Sequence, residues 1–400
     1  MKNPFDPRTP TFDAGAIQQT IQRALASAGL DTTTGTMREV SETIERALAA
    51  GGLMKTAPVA SSPHPDANVV DVVARVVPEG EGSNPEPQTA RPTSEAPWPT
   101  ERLQSFSFSN AAGTRAYKVH LPEPQPQAPC PVLVMLHGCT QSADDFAAGT
   151  RMNTLADQHG VIVVCPEQAA SANAGKCWNW FQPQDQARGG GEPSLIAGIV
   201  GEVVSRFGAD PQRLFVAGLS AGAAMAVVLG ETYPELFAGV GVHSGLAYRS
   251  AHDMGSAMAA MKGGRSGLPG MKAATAEGPR HPALHAVPTI VFHGDRDHTV
   301  QAVNADQVVQ QAREAFEAEP AAGELQANTQ TGATPGGRRY TRTVYTDAAG
   351  RSCIESWTVH GAGHAWSGGD PSGSFTDASG PDASAEMVRF FLALRRGNPA

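Results

Sequence analysis

Gly218-Leu219-Ser220-Ala221-Gly222 is the stretch of this sequence best suited to carry chemistry. An apolar run, Leu214-Phe215-Val216-Ala217, leads into it, and an Ala-rich segment of helical character, Ala223 to Glu231, leads away. Strand, tight Gly-Xaa-Ser-Xaa-Gly turn and helix in that order hold a serine in a strained backbone and project its hydroxyl from the end of a sheet. Gly218 and Gly222 fit that reading, because side chains there would strike the neighbouring strand and helix. The plainer alternative is a Gly-bounded strand-to-helix turn with no chemistry. A serine hydroxyl is a weak nucleophile and needs a base, an acid to orient that base, and donors for the oxyanion.

In the chain order that goes with such a turn, the acid and then the histidine follow the serine, each after a later strand. Asp295 and Asp297 come directly after the apolar run Val287 to Phe292, and Asp297 is chosen as the acid, with Asp295 as a turn or supporting residue. His298 lies too close to Asp297 to partner it. His364, in Gly361-Ala362-Gly363-His364-Ala365-Trp366, sits in a Gly-rich loop after a strand and is chosen as the base. His360 and His364 are spaced as a metal pair on a helix, but Gly361 and Gly363 argue against a helix, so no metal is expected. The oxyanion donors are expected to be the N–H groups of Cys139, in His137-Gly138-Cys139, and Ala221. The Cys139 side chain is read as an inert, half-buried thiol. Trp178, Trp180 and Trp366 flank these residues in sequence and are expected to line a substrate cleft, with a core position as the alternative.

The elements that must position these groups alternate. Phe106 and Phe108, then Tyr117, Val119 and Leu121, predict a β-hairpin. Buried-type strands are predicted at Pro131 to Leu136, Val161 to Val164, before Ser220, at Ala238 to His243 and at Val287 to Phe292. Helices are predicted from Phe146 to Gln158, Pro193 to Phe207, 300 to 316 and Ala383 to Arg396. Residues 318–337 read as a loop, 338–346 and 353–359 as a terminal strand pair, and Tyr248 to Pro282 as a loose region that is either a lid or a wall. The fold class is α/β: a mainly parallel sheet with helices on both faces, as in an α/β-hydrolase, with an N-terminal helical extension.

That extension, residues 1–55, repeats itself at an offset of 23: Ile21-Gln22-Arg23-Ala24-Leu25 returns as Ile44-Glu45-Arg46-Ala47-Leu48. Each copy carries an i, i+4, i+8 apolar stripe and reads as a short amphipathic helix that covers a face of the main domain or pairs with a second subunit, with docking on a hydrophobic surface as the sharper alternative. Residues 56–102 are rich in Pro, Ser and Glu and read as a disordered linker before a catalytic domain at 103–400. A net charge of −9 with no basic patch argues against nucleic-acid or anionic-membrane partners. No apolar run is long enough to span a bilayer, and nothing after Met1 reads as a signal peptide, so the cytoplasm is the expected compartment. Five cysteines without a Cys-x-x-Cys pair exclude a disulfide scaffold; one bridge, such as Cys139 with Cys177, is left open, though unusual in a reducing cell. The oligomeric state is not legible.

Several motifs go beyond a generic hydrolase. Leu136-His137-Gly138-Cys139-Thr140-Gln141, Pro166-Glu167-Gln168, Cys177-Trp178-Asn179-Trp180-Phe181, Arg188-Gly189-Gly190-Gly191-Glu192, the serine turn and Gly363-His364-Ala365-Trp366 occur in one order. Together, over roughly residues 103–395, they resemble the polyhydroxybutyrate depolymerase family of esterases, specifically the catalytic domain of the type I extracellular enzymes. The resemblance implies a triad of Ser220, Asp297 and His364, cleavage of short-chain 3-hydroxyalkanoate esters and no cofactor. Feruloyl and acetylxylan esterases share much of the pattern and supply the alternative substrates. A non-catalytic granule-surface protein that keeps the fold is the alternative of another class. The expected departure is an intracellular form that acts on stored polyester, with residues 1–55 meeting the granule surface.

Overall fold

The computed structural model describes residues 102–396, apart from 125, 127, 265–285 and 320–322. The repeat and linker expected within 1–101 lie outside the described residues, as does most of the region in which a lid was considered.

A ten-stranded sheet organises the described chain, in the order β1-β2-β4-β3-β5-β6-β7-β10-β9-β8. The hairpin β1 (Leu103–Asn110) and β2 (Gly113–His120) opens it at one edge. The centre is built from β3 (Val132–Leu136), β4 (Ile162–Pro166), β5 (Leu214–Leu219), β6 (Gly239–His243) and β7 (Thr289–Gly294), all parallel and buried along their whole length. Strands covered on both faces read as continuous apolar runs, which is why these segments carry no hydrophobic alternation. The pleat still divides their side chains: Val132, Val134 and Leu136 join one core, Leu133 and Met135 the other.

Helices α1 (Ala143–Thr150), α2 (Met152–His159), α3 (Gly191–Phe207), α4 (Ala221–Thr232), α5 (Met254–Met261), α6 (Val303–Glu317) and α7 (Ala383–Leu392) complete the described α/β body. α4 is buried on almost every side, as its Ala- and Val-rich sequence allows. The expected helix from Phe146 to Gln158 is broken into α1 and α2 at Arg151, whose φ of 53° is left-handed. Arg151 N–H caps α1 on Ala148 O, and its side chain reaches Asp382 and Gly368 O. The helix expected to run to Arg396 ends at Leu392.

Residues 318–337, expected as a loop, contain β8 (Gln326–Ala333), which pairs antiparallel with β9 (Arg339–Thr346) beside β10 (Ser352–Val359). Nearly all of β8 is exposed, so the sequence carries no apolar alternation, and main-chain pairing with a Thr329–Thr343 hydroxyl contact to β9 makes the strand. Two short strands, β11 (Trp366–Ser367) and β12 (Thr376–Asp377), pair separately.

The turn after β5 is packed backbone against backbone. A Cβ on Gly222 would lie 2.1 Å from Leu136 O and 2.6 Å from His137 O; one on Gly218 would lie 2.5 Å from the Gly222 carbonyl carbon. Gly222→Ala should therefore cost at least about 3 kcal/mol, read as a lowered urea midpoint or loss of soluble protein. Gly201→Ala, at an exposed position of α3 with open space around it, is the control and should gain up to about 1 kcal/mol. Equal midpoints for the two variants would refute the packing argument.

Candidate functional site

The end of β5 carries Ser220 with φ 58° and ψ −119°, a conformation rarely adopted by a side-chain-bearing residue. Its N–H donates to His243 O at 2.9 Å, which ties the turn to the neighbouring β6. Ala221 opens α4, so its N–H has no acceptor within the helix. β5, β7 and β10 run parallel to one another through β6, so the loops after their C-terminal ends, holding Ser220, Asp297 and His364, all open at one end of the sheet.

His364 and Asp297 meet: His364 Nδ1 lies 2.6 Å from Asp297 Oδ2, and the Asp297 side chain is fully buried. The other oxygen, Oδ1, accepts from the N–H groups of Thr299 at 2.9 Å and Val300 at 2.8 Å. Burial by itself would raise the Asp297 carboxyl, but its hydrogen bond and charge contact with His364, then Val300 N–H, hold it below the ordinary carboxylate value. Among the described residues no hydrogen bond joins Ser220 Oγ to His364; such contacts commonly tighten only when substrate is bound.

Asp295 faces elsewhere. Its Oδ2 pairs with His360 Nδ1 at 2.9 Å and its Oδ1 accepts Gly361 N–H at 2.6 Å, while His360 Nε2 meets Thr341 Oγ1. It thus clamps the start of the loop that carries His364. His360 and His364, considered above as a metal pair, have separate acidic partners.

The oxyanion candidates have distinct surroundings. Gly138 N–H donates to Gln141 Oε1 at 2.9 Å and Thr140 N–H to Gly175 O at 2.7 Å, whereas Cys139 N–H meets no protein acceptor among the described residues. The Cys139 side chain is not the inert thiol expected: it forms a disulfide with Cys177, across a Cα–Cα distance of 4.2 Å. The loop after β4 brings Cys177 alongside, a juxtaposition that a separation of 38 residues does not reveal.

The tryptophans correct another expectation. Trp178, Trp180 and Trp366 are buried in the core and do not line a cleft. Trp178 donates from Nε1 to His137 O at 3.1 Å, so it braces the Cys139 loop from within. Trp180 packs edge-on against Phe181. Trp366 stacks on His243, which stacks on Phe292, and its Nε1 donates to Ser384 Oγ at 2.9 Å.

Three buried histidines surround the site without having been singled out for it. His137 Nε2 accepts Gln168 N–H, so its Nδ1–H donates to Gly138 O. His243 Nε2 accepts Ser367 N–H, and burial above all pushes it down to about 3. His293 Nε2–H donates to Val300 O at 2.8 Å and lies 3.5 Å from Asp297 Oδ2; burial holds it low as well. All three are neutral imidazoles that fix main chain.

With this geometry in place, the chain can be set beside known proteins. The family model described as Esterase PHB depolymerase matches residues 115–330, more than half of the chain. The chain belongs to the PHB depolymerase family of esterases. It is 34% identical over 262 residues to a poly(3-hydroxyalkanoate) depolymerase C of Paucimonas lemoignei, covering 65% of this chain and 61% of that protein. It is 37% identical over 138 residues to acetylxylan esterase A of Talaromyces purpureogenus, covering 34% and 35% respectively. The solved acetyl xylan esterase from Aspergillus awamori superposes with a TM-score of 0.54 at 22% identity, over 72% of this chain and 98% of that one, and shows the shared α/β-hydrolase fold. The chain spans less than two thirds of the length of these curated relatives.

A buried carboxyl pair, Asp185 and Glu192, stands at the start of α3. Asp185 Oδ1 accepts Glu192 N–H at 2.7 Å. Burial, and then the Glu192 charge, push Asp185 up to about 6, with Arg115 opposing. A carboxyl raised on folding binds its proton more tightly in the folded state, so its contribution to stability is full below about pH 4 and is lost as pH rises through about 6. Asp185→Asn, which keeps the acceptor, should therefore gain stability relative to the wild type between pH 4 and pH 7, by on the order of 3 kcal/mol. Urea melts at the two pH values check this; a difference that shrinks with rising pH contradicts it.

Proposed function

We propose that this chain is a serine esterase that hydrolyses the ester bonds of poly(3-hydroxybutyrate) or its oligomers through an acyl-enzyme. The observation that carries the reading is the strained Ser220 at the sheet end into which the buried Asp297–His364 pair also opens. His364 Nδ1–H is committed to Asp297, which leaves Nε2 as the lone pair to take the Ser220 proton while Oγ attacks the ester carbonyl. Asp297 orients the imidazole and stabilises the imidazolium that forms. The N–H groups of Cys139 and Ala221 receive the oxyanion; one such donor contributes roughly 3 kcal/mol to the barrier reduction. His364 then returns the proton to the departing alkoxide, and the released alcohol end of the polymer leaves. Water repeats the sequence on the acyl-enzyme and frees 3-hydroxybutyrate or an oligomer. No step in this sequence calls for a cofactor.

The relatives favour polyester as substrate because the longest of these curated alignments is with a polyhydroxyalkanoate depolymerase. The shorter, equally similar alignments with acetylxylan esterases support the alternative, a short acyl ester on polysaccharide. Residues 1–55 are proposed as the segment that meets a storage granule in the cytoplasm. The Cys139–Cys177 bridge, uncommon in reducing compartments, is the observation that this placement has to accommodate.

Ser220→Ala should lower ester turnover by at least about 10⁴-fold while leaving the fold intact. Asp297→Asn should cost about 10³- to 10⁴-fold in kcat and Asp295→Asn less than about tenfold, which separates the two acids. Purified protein assayed on amorphous polyhydroxybutyrate granules, an acetylated xylan and a feruloyl ester tests the substrate. Turnover of the polysaccharide esters alone would overturn the polyester assignment. Deleting residues 1–55 should lower partition onto granules, and unchanged partition removes that role.

A further inference from the structure

An oxyanion donor acts only if it is held still, and Cys139 lies in a loop. The loop that runs from Gln168 to Asn179 grips it at three points. These are the Cys139–Cys177 disulfide, the Thr140 N–H bond to Gly175 O at 2.7 Å, and the Trp178 Nε1–H bond to His137 O at 3.1 Å. That gripping loop hangs in turn on one carboxylate, Glu192, in the first turn of α3. Glu192 Oε2 accepts Asn179 N–H at 2.8 Å; Oε1 accepts Asn179 Nδ2 at 2.8 Å, Gln168 Nε2, and Arg115 Nη2 at 3.0 Å. The same Gln168 Nε2 also donates to Cys177 O at 2.8 Å, so the amide joins the carboxylate to the half-cystine.

The side chains of Arg115 and Glu192 are 7% and 5% exposed. A buried ion pair of this kind is weak evidence for stability, since a well-packed apolar pair commonly does as well or better. It does supply direction, because donors from β2, from the end of β4 and from the Asn179 turn converge on one carboxylate at a helix N-terminus that favours its charge. We propose that Glu192 is a positioning residue for the oxyanion: through Gln168 and Asn179 it fixes Cys177, and through the disulfide it fixes the N–H of Cys139. The proposal rests on Ser220 as nucleophile and Cys139 as oxyanion donor, and adds to that reading the group that aims the donor.

The test compares Glu192→Gln, Gln168→Met and Ser220→Ala on a soluble short-chain ester. Gln168→Met is needed because Glu192→Gln leaves the buried Arg115 guanidinium without its counter-charge and risks the fold. Glu192→Gln and Gln168→Met, where folded as judged by an unchanged cooperative melt, should lose about 10- to 100-fold in kcat with KM within about threefold, because the oxyanion forms only after binding. Reducing the wild type with dithiothreitol supplies two electrons and two protons, yields two thiols and a cyclic dithiothreitol disulfide, and should lower kcat by a comparable factor. In Gln168→Met the same reduction should lower kcat little further, because both changes release one loop.

Wild-type kcat in either folded variant, a rise in KM at constant kcat, or losses by mutation and by reduction that multiply in full would each overturn the positioning role. Ser220→Ala separates the two levels. If it keeps turnover, the reading of the site fails. If it is inactive while Gln168→Met retains wild-type kcat, only the role of Glu192 fails.

Discussion

The close approach of the Ser220 turn to the end of β3 is the constraint from which the rest of the site follows. Gly222 lies so near the carbonyls of Leu136 and His137 that a methyl group cannot be placed between them. The Ser220 turn and the loop that starts at His137 are therefore one packed unit, and neither can shift without the other. This fixes where the loop of Cys139 starts relative to the Ser220 turn at the level of main-chain contact, and leaves the aim of the Cys139 N–H to the contacts further along that loop. It also explains the composition of α4: a helix starting hard against two strands can carry Ala221, Ala223 and Ala224 at its first turns, where larger residues would force it off the sheet.

Electrostatics around the site are arranged by subtraction. His137, His243 and His293 are buried, and each commits a ring nitrogen to main chain, which fixes the tautomer of a neutral ring. A charged imidazole at His293, 3.5 Å from Asp297 Oδ2, would compete with His364 for that carboxylate. Keeping it neutral leaves the negative charge of Asp297 directed to His364. The two N–H groups on Asp297 Oδ1 hold the carboxylate in the rotamer that makes this possible.

Much of this was legible because its determinants are local. The Ser220 turn declares itself within five residues, and the order of Asp297 and His364 follows from strand ends that the apolar runs mark clearly. Choosing Asp297 over Asp295 went beyond that local signal; the structure turns the first inward to His364 and the second outward to His360. The tryptophans misled because an aromatic beside a site in sequence faces either the cleft or the core, and only the path of the loop decides. The Cys139–Cys177 bridge was open for the same reason. β8 was missed because a strand covered on neither face has no periodicity to read. Glu192 stood in view within Arg188-Gly189-Gly190-Gly191-Glu192, but its partners come from three separate segments.

The glycines ahead of Glu192 follow from the same geometry. Gly191 has φ 48°, and a Cβ there would lie 2.1 Å from Asp185 Oδ1, so a side chain would expel that carboxylate from its bond to Glu192 N–H. Two buried carboxyls therefore share one helix start, with the Arg115 guanidinium paired to Glu192. Burial, and then the neighbouring Glu192 charge, raise Asp185, which is a poor arrangement for stability alone. Its gain is orientation: the acceptor is fixed on a 17-residue helix, and the loop that holds Cys177 is tied to it.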